Sequence, residues 1–265
     1  KSFDLTDSAK SIISKARTTN ILFSFKLSES SYKLIKKRIS VLQEVQETEQ
    51  NYLHDIHILI EFWEPAIRQL RLFNESELAQ IFKDFPTIYK CHLFFLHTLK
   101  EHGCEFSTNV GDIFLEFSDY FKLSLPYISN YHNVIQIINS RPKVLTINDV
   151  EKGKDLTSYL ITPVQRIPRY ILFIKELLKR TPSCHPDFES LELAYTNIQK
   201  ITVEMDISTK KAQQMNEIWM IQKSLTKPFS LISPNRYLKY TLNITFKSEN
   251  CHLYIFNDFV MICSY

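Results

Sequence analysis

Eight histidines and five cysteines are the residues of this chain best equipped for bond chemistry, and their spacing denies them most of it. No HExxH pair occurs, and no Cys/His cluster has the spacing that closes a zinc site, so metal catalysis is not expected. Phosphate-cradling loops need glycine, and the chain holds only three; neither a Walker loop, a GxGxxG nor a GxSxG is present. No bound nucleotide and no cofactor are expected. Cys184 and His185 have the types of a nucleophile and its base. They stand between Pro182 and Pro186, in a connection, and sequence neighbours seldom face one another, so a loop role is the reading adopted.

The polar residues that remain informative sit on helical stretches. In RISVLQEVQETEQNYLHDI, Arg38 to Ile56, the residues Leu42, Val45, Glu49, Tyr52 and Ile56, then Leu59 and Trp63, recur at three- and four-residue steps. At 100° per residue they form one stripe. Glu49 lies inside it, where a carboxylate is costly unless paired, so a fixed partner in the interior is predicted. Glu44 projects about 100° from Val45, beside the stripe, and can reach a partner surface. A solvated helix residue is the plain alternative for Glu44 taken alone.

A later stretch, DLTSYLITPVQRIPRYILFIKELLKRTP, runs from Asp155 to Pro182. Leu160, Val164, Ile167, Ile171, Ile174 and Leu178 make its expected buried stripe; Gln165, Arg169, Leu172 and Glu176 fall on another face. Pro163 and Pro168 each cost up to about 3 kcal/mol if placed inside a helix. They are expected to bend this helix or mark its start, and with Gln165 and Arg169 one turn apart they suggest a shaped contact surface.

The elements that must hold these residues are long helices. Helical periodicity dominates from about 38 to 225, with segments around Leu78 to Leu99, Val110 to Leu125, Tyr131 to Ile138, Leu156 to Leu178 and Phe188 to Leu225. Pro65 is expected to bend or end the first of them. Breaks are expected at His102-Gly103, Pro126, Arg141-Pro142 and across Thr181 to Pro186, and long helices with short connections make a bundle. Residues 1–37, with apolar clusters at Ile12-Ile13 and Ile21 to Phe25, read as an N-terminal extension. After Pro228 the texture becomes strand-like, and LYIF-ND-FVMI, Leu253 to Ile262, reads as a hairpin turning at Asn257-Asp258. Three strands are too few for a core, so this second unit is expected to continue beyond the sequence, and the missing initiator Met points to a fragment of a longer protein.

Bulk properties exclude other classes. The net charge of +3 is too small and too interspersed for a nucleic-acid footprint. Scattered cysteines without CxxC pairs suggest reduced thiols, and no apolar run is long enough to span a bilayer. A cytoplasmic protein is expected.

ETEQNY, Glu47 to Tyr52, followed by LITPVQRIPRYILFIKELLKRTP and then a long helix, resembles the Dbl-homology domain of exchange factors for Rho GTPases over roughly residues 38–225. LYIFNDFVMIC resembles the second and third strands of a pleckstrin-homology domain, which follows directly in that family, here as residues 226–265. The resemblance implies an elongated, mainly all-α bundle with the start of a small β barrel. It implies a guanine-nucleotide exchange factor that remodels the two switches of a Rho-family GTPase. Glu44 matches the glutamate that contacts switch I, with Thr48 beside it; Gln165 and Arg169 match positions facing the switches. Asp206 stands where many members have asparagine, and it can accept but not donate a charge-assisted bond. Ile161 matches a position that senses a residue differing between GTPase subgroups, and isoleucine leans toward Rac-like partners. The family also implies recruitment to a phosphoinositide membrane, for which Lys247 is the one cation in the loop from about Thr245 to Asn250. Extensions inhibit exchange in some relatives, which residues 1–37 could do here. Two rival readings stay open: a helical scaffold with a membrane-binding domain, and a Dbl domain that binds a GTPase without exchanging its nucleotide.

Overall fold

The stripe expected along the first segment is buried throughout: Leu42, Val45, Glu49, Tyr52, Ile56, Leu59 and Trp63 all face the interior. The first five lie on α1, Glu29–Ile58, whose 30 residues span about 45 Å, and Leu59 and Trp63 in the turn that follows it. The computed structural model describes residues 29–141, 154–226, 229–233, 236–246 and 249–264. Of the expected N-terminal extension, residues 1–28 therefore lie outside the described residues, and the remainder forms the opening turns of α1 rather than a separate segment.

Pro65 does not end that helix. The chain passes through a π-helical turn, Leu59–Trp63, and continues as α2, Glu64–Leu70, with Pro65 in its first turn directly after the π-helical residues. The expected Leu78 to Leu99 segment is two helices, α3 (Glu75–Phe82) and α4 (Phe85–His102). Pro86 opens α4 as Pro65 opens α2, and a capping box of Asn74 with Glu77 starts α3. Gly103, at φ 72°, terminates α4. Next come α5 (Val110–Phe121), a 3-10 turn (Lys122–Ser124) and α6 (Leu125–Asn139), which places the expected break at Pro126 just ahead of the proline. Asp155 caps α7 (Leu156–Leu160) by accepting from the Ser158 N–H at 2.8 Å. α8 (Thr162–Arg180) and α9 (Asp187–Ser224) complete the bundle, α9 being 38 residues long, about 57 Å.

Two apolar cores lie end to end along α1. One gathers Val41, Leu42 and Val45 with side chains of α4, α5, α8 and α9. The other gathers Tyr52 to Ile67 with α3, the start of α4, α6 and α7. The far end of the first core is closed by Arg38, fully buried, which donates to the carbonyl oxygens of Phe106 and Thr108, to the Thr181 hydroxyl and to Asp187 at 2.6 Å. His185 bonds the Phe106 carbonyl oxygen at 2.8 Å and accepts from the Asp187 N–H, while Cys184 is exposed, so this pair serves the loop.

At Gly111 α5 approaches α9 closely, the glycine N–H donating to Asp187 at 2.6 Å. A Cβ there would lie 2.5 Å from the Leu191 nitrogen and 2.7 Å from the Ser190 carbonyl carbon, both backbone atoms that cannot swing aside. Gly111→Ala is expected to lower stability by about 1–3 kcal/mol, the usual range for overpacking. Urea unfolding measures it, and an unshifted midpoint would mean that the two helices part without strain.

The C-terminal strands β1 (Leu238–Phe246), β2 (Glu249–Phe256) and β3 (Val260–Ser264) form an antiparallel sheet in that order. The hairpin turns at Asn257-Asp258 as expected, closed by the Phe256 N–H donating to the Phe259 carbonyl at 2.9 Å. Ile218 of α9, Leu231 and Phe256 form a small apolar cluster joining helix and sheet. Among the described residues no helix is long and apolar enough to cross a membrane.

Candidate functional site

α8 is the helix that two prolines shape. Pro163 sits in its first turn and Pro168 inside it, yet the helix runs unbroken to Arg180. Its buried face is rotated from the expected one: Pro163, Arg166, Tyr170, Phe173 and Leu177 are buried with Ile167 and Ile174, whereas Val164, Ile171 and Leu178 are only partly covered. An arginine and a tyrosine hold the centre of that face because they meet the carboxylate of α1. Gln165, Arg169 and Leu172 are exposed, as expected.

α1 and α8 pack side by side, and the structure brings Glu44 and Arg169 together across them. Glu44 Oε1 stands 3.9 Å from Arg169 Nη2, with both side chains about half exposed. A pair so long and so open contributes at most about 1 kcal/mol and is easily exchanged for a better contact. Beside it lies a shallow cleft of about 240 Å³, walled by Thr48, Asn51 and Asp55 on α1 and by Thr162, Gln165 and Arg169 on α8. Ile161, half-buried at the junction of α7 and α8, accepts the Gln165 N–H with its carbonyl at 3.2 Å. Asp206 is exposed on α9 and does not line the cleft. Two apolar residues that sequence reasoning did not single out, Val203 and Ile207, flank it in the chain and are exposed, as Leu172 is on α8. Lys247 lies outside the described residues.

Beneath this surface is the partner that Glu49 required. Its Oε2 accepts from the Arg166 guanidinium, through Nε at 2.9 Å and also through Nη2, and from the Tyr170 hydroxyl at 2.6 Å. Its Oε1 accepts from His92 Nδ1 of α4 at 2.8 Å. Arg166 Nε also donates to the Tyr170 oxygen at 3.0 Å, so the phenol receives from the guanidinium and gives to the carboxylate. Burial is the largest influence on the Glu49 carboxyl and opposes its ionisation, yet Arg166 and His92, with the hydrogen bonds from His92 and Tyr170, hold its pKa below the ordinary value. Burial likewise opposes the Arg166 charge, but Tyr170 and Glu49 raise its pKa, so it remains a cation. The neighbouring Cys91 thiol is pushed up to about 12 by burial and by the Glu49 charge, which leaves it unreactive. Of these residues only Glu49 carried a signal in the sequence. Among the described residues no group of three His, Cys, Asp or Glu side chains is placed to hold a metal ion.

The arrangement is an exposed, weakly paired charge constellation on a rigid, polar-pinned base. It is suited to gripping another macromolecule. The RhoGEF domain family matches residues 41–206. Guanine exchange factor for Rac 30 of Dictyostelium discoideum is 31% identical over 85% of this chain and 14% of its own length. The human FYVE, RhoGEF and PH domain-containing protein 2 is 26% identical over 84% of this chain and 38% of its own length. The chain thus spans a minor part of these relatives. In fold, the DH/PH domains of PDZ-RhoGEF, crystallised with activated RhoA, superpose with a TM-score of 0.74 at 16% identity, covering 91% of this chain and 76% of that one.

Proposed function

The chain belongs to the RhoGEF domain family, and from that premise we propose that it is a guanine-nucleotide exchange module for a Rho-family small GTPase. The observation that carries the reading is the open pair of Glu44 and Arg169, held 3.9 Å apart on two different helices beside a polar cleft. A GTPase that holds nucleotide at picomolar affinity does so with about 16 kcal/mol. Whatever binds its empty form far more tightly than its loaded form must weaken nucleotide binding by the same factor, because the coupling is reciprocal. Glu44 and Thr48 engage switch I; Gln165, Arg169 and Asp206 engage switch II. Glu44 and Arg169 give up their loose mutual contact for charge-assisted bonds that only the empty, rearranged switches offer. Leu172, Val203 and Ile207 supply apolar contact of the kind an interface core needs.

A pull-down with nucleotide-free and GTP-loaded GTPases, paired with release of a fluorescent GDP analogue across Rho, Rac and Ras types, tests this. Preference for the empty form and faster release from a Rho-family member are expected. Binding of neither form would leave a scaffold, and binding without release a Dbl domain that does not exchange. Within that outcome a Rac-like partner is proposed, on the lean of Ile161 and on relatives named for Rac; faster release from Rho than from Rac types would reverse it. Co-sedimentation with phosphoinositide vesicles tests the accompanying proposal that the C-terminal sheet brings the chain to a membrane.

A further inference from the structure

Three members of the buried network, those of α1 and α8, are immediate chain neighbours of contact candidates: Glu49 follows the partly exposed Thr48, Arg166 follows the exposed Gln165, and Tyr170 follows the exposed Arg169. On a helix, neighbours differ by about 100° of rotation, so fixing one side chain inward fixes where the next points. Glu49 is the carboxylate that α1 contributes to this layer. It lies between Val45, in one apolar core, and Tyr52, in the other. Apolar packing on either side is non-directional and tolerates small rotations and slides. The network does not: Glu49 Oε2 takes Arg166 and Tyr170 from α8 while Oε1 takes His92 from α4. The Tyr170 ring is clamped in turn between Phe121, at 4.7 Å, and Phe95, at 5.6 Å.

Resting on the exchange reading above, we infer that Arg166 and Tyr170 are positioning residues: acting through Glu49, they set the rotation of α8 against α1 and so hold Arg169 and Gln165 in register with Glu44 and Thr48. Tyr170 is fully buried, and Arg166, 4% exposed at the floor of the cleft, has its guanidinium committed to Glu49 and Tyr170. Their effect reaches exchange only through the exposed residues that they aim. A misplacement on the order of 1 Å is enough to lower a rate by up to about 100-fold, so removing part of the network should be visible while the fold survives.

The test is a double-mutant cycle on the full chain, with Tyr170→Phe and Arg166→Lys each made alone and together with Glu44→Ala. Tyr170→Phe keeps the ring and removes one hydroxyl, and Arg166→Lys keeps the charge and loses the fork. Exchange is followed at saturating and subsaturating GTPase, beside thermal melts. Each single variant is expected to lower the saturated release rate about 10-fold while remaining folded at the assay temperature, and neither should slow a Glu44→Ala protein much further, because the carboxylate against which Arg169 is held in register is gone. Factors that multiply, or a loss confined to apparent affinity, would mean a merely structural role and overturn the inference alone. A wild-type chain that releases nucleotide from no GTPase of the panel would overturn the exchange reading and this inference with it.

Discussion

Glu44→Ala should slow GTPase nucleotide release by at least about 30-fold and leave the melting temperature almost where it was. The two halves of that expectation have separate origins. In the free protein Glu44 is half exposed and its ion-pair partner among the described residues, Arg169, is 3.9 Å away, so its removal falls among surface changes within about 0.5 kcal/mol. In the proposed complex the same carboxylate would become a desolvated contact to switch I. Truncating one side of such a charge pair typically costs about 2–5 kcal/mol, or about 30-fold to more than 1,000-fold at 1.4 kcal/mol per decade. Arg169→Ala should follow the same pattern, with the Phe173 ring, 5.5 Å from its guanidinium, left without a cation above it. A purified Glu44→Ala protein that releases a fluorescent GDP analogue at the wild-type rate would remove Glu44 from the contact surface.

The ease with which the site could be read depended on which side of each helix carried the signal. Glu44 and Glu49 were separable because the stripe on α1 is otherwise apolar, so its period is unambiguous and a carboxylate inside it stands out. On α8 the same procedure placed the stripe one residue too far along, at Val164, Ile171 and Leu178, because hydrophobicity alone ranks arginine and tyrosine as surface residues. The true centre is Arg166, Tyr170, Phe173 and Leu177, and an arginine can occupy it because a carboxylate from another helix neutralises it. That partner lies 117 positions away in the chain, beyond the reach of any local pattern. The π-helical turn at Leu59–Trp63 was invisible for another reason: all five residues suit an ordinary helix, and the extra residue shows only in the backbone. The division at Lys83-Asp84 was legible in principle from Pro86, which belongs in the first turn of a helix.

Glu49→Ala should be the opposite kind of variant, damaging the fold first and exchange in consequence. Removing the carboxylate leaves Arg166 as an uncompensated cation 4% exposed, and leaves Tyr170 and His92 without the acceptor that orders them. Breaking one side of a buried pair costs about 3–5 kcal/mol. For a protein of this size that is a fall in melting temperature on the order of 10 °C. The same pair fixes a pH dependence. The Glu49 pKa is lower folded than in the unfolded chain, so the folded state binds its proton less readily, and the stability it adds is present above the unfolded value. It disappears as pH falls from there through the folded value. Thermal melts of wild type and Glu49→Ala should therefore draw together as the pH falls below the unfolded carboxyl value, the wild type giving up its advantage in the acid range while the variant loses less. The decisive comparison adds Glu49→Leu with Arg166→Met. If the orphaned cation is what destabilises the single variant, replacing both charges with apolar side chains should recover much of the lost stability. A double variant as unstable as Glu49→Ala, or a single variant that melts with the wild type, would mean that the carboxylate and the guanidinium do not depend on each other.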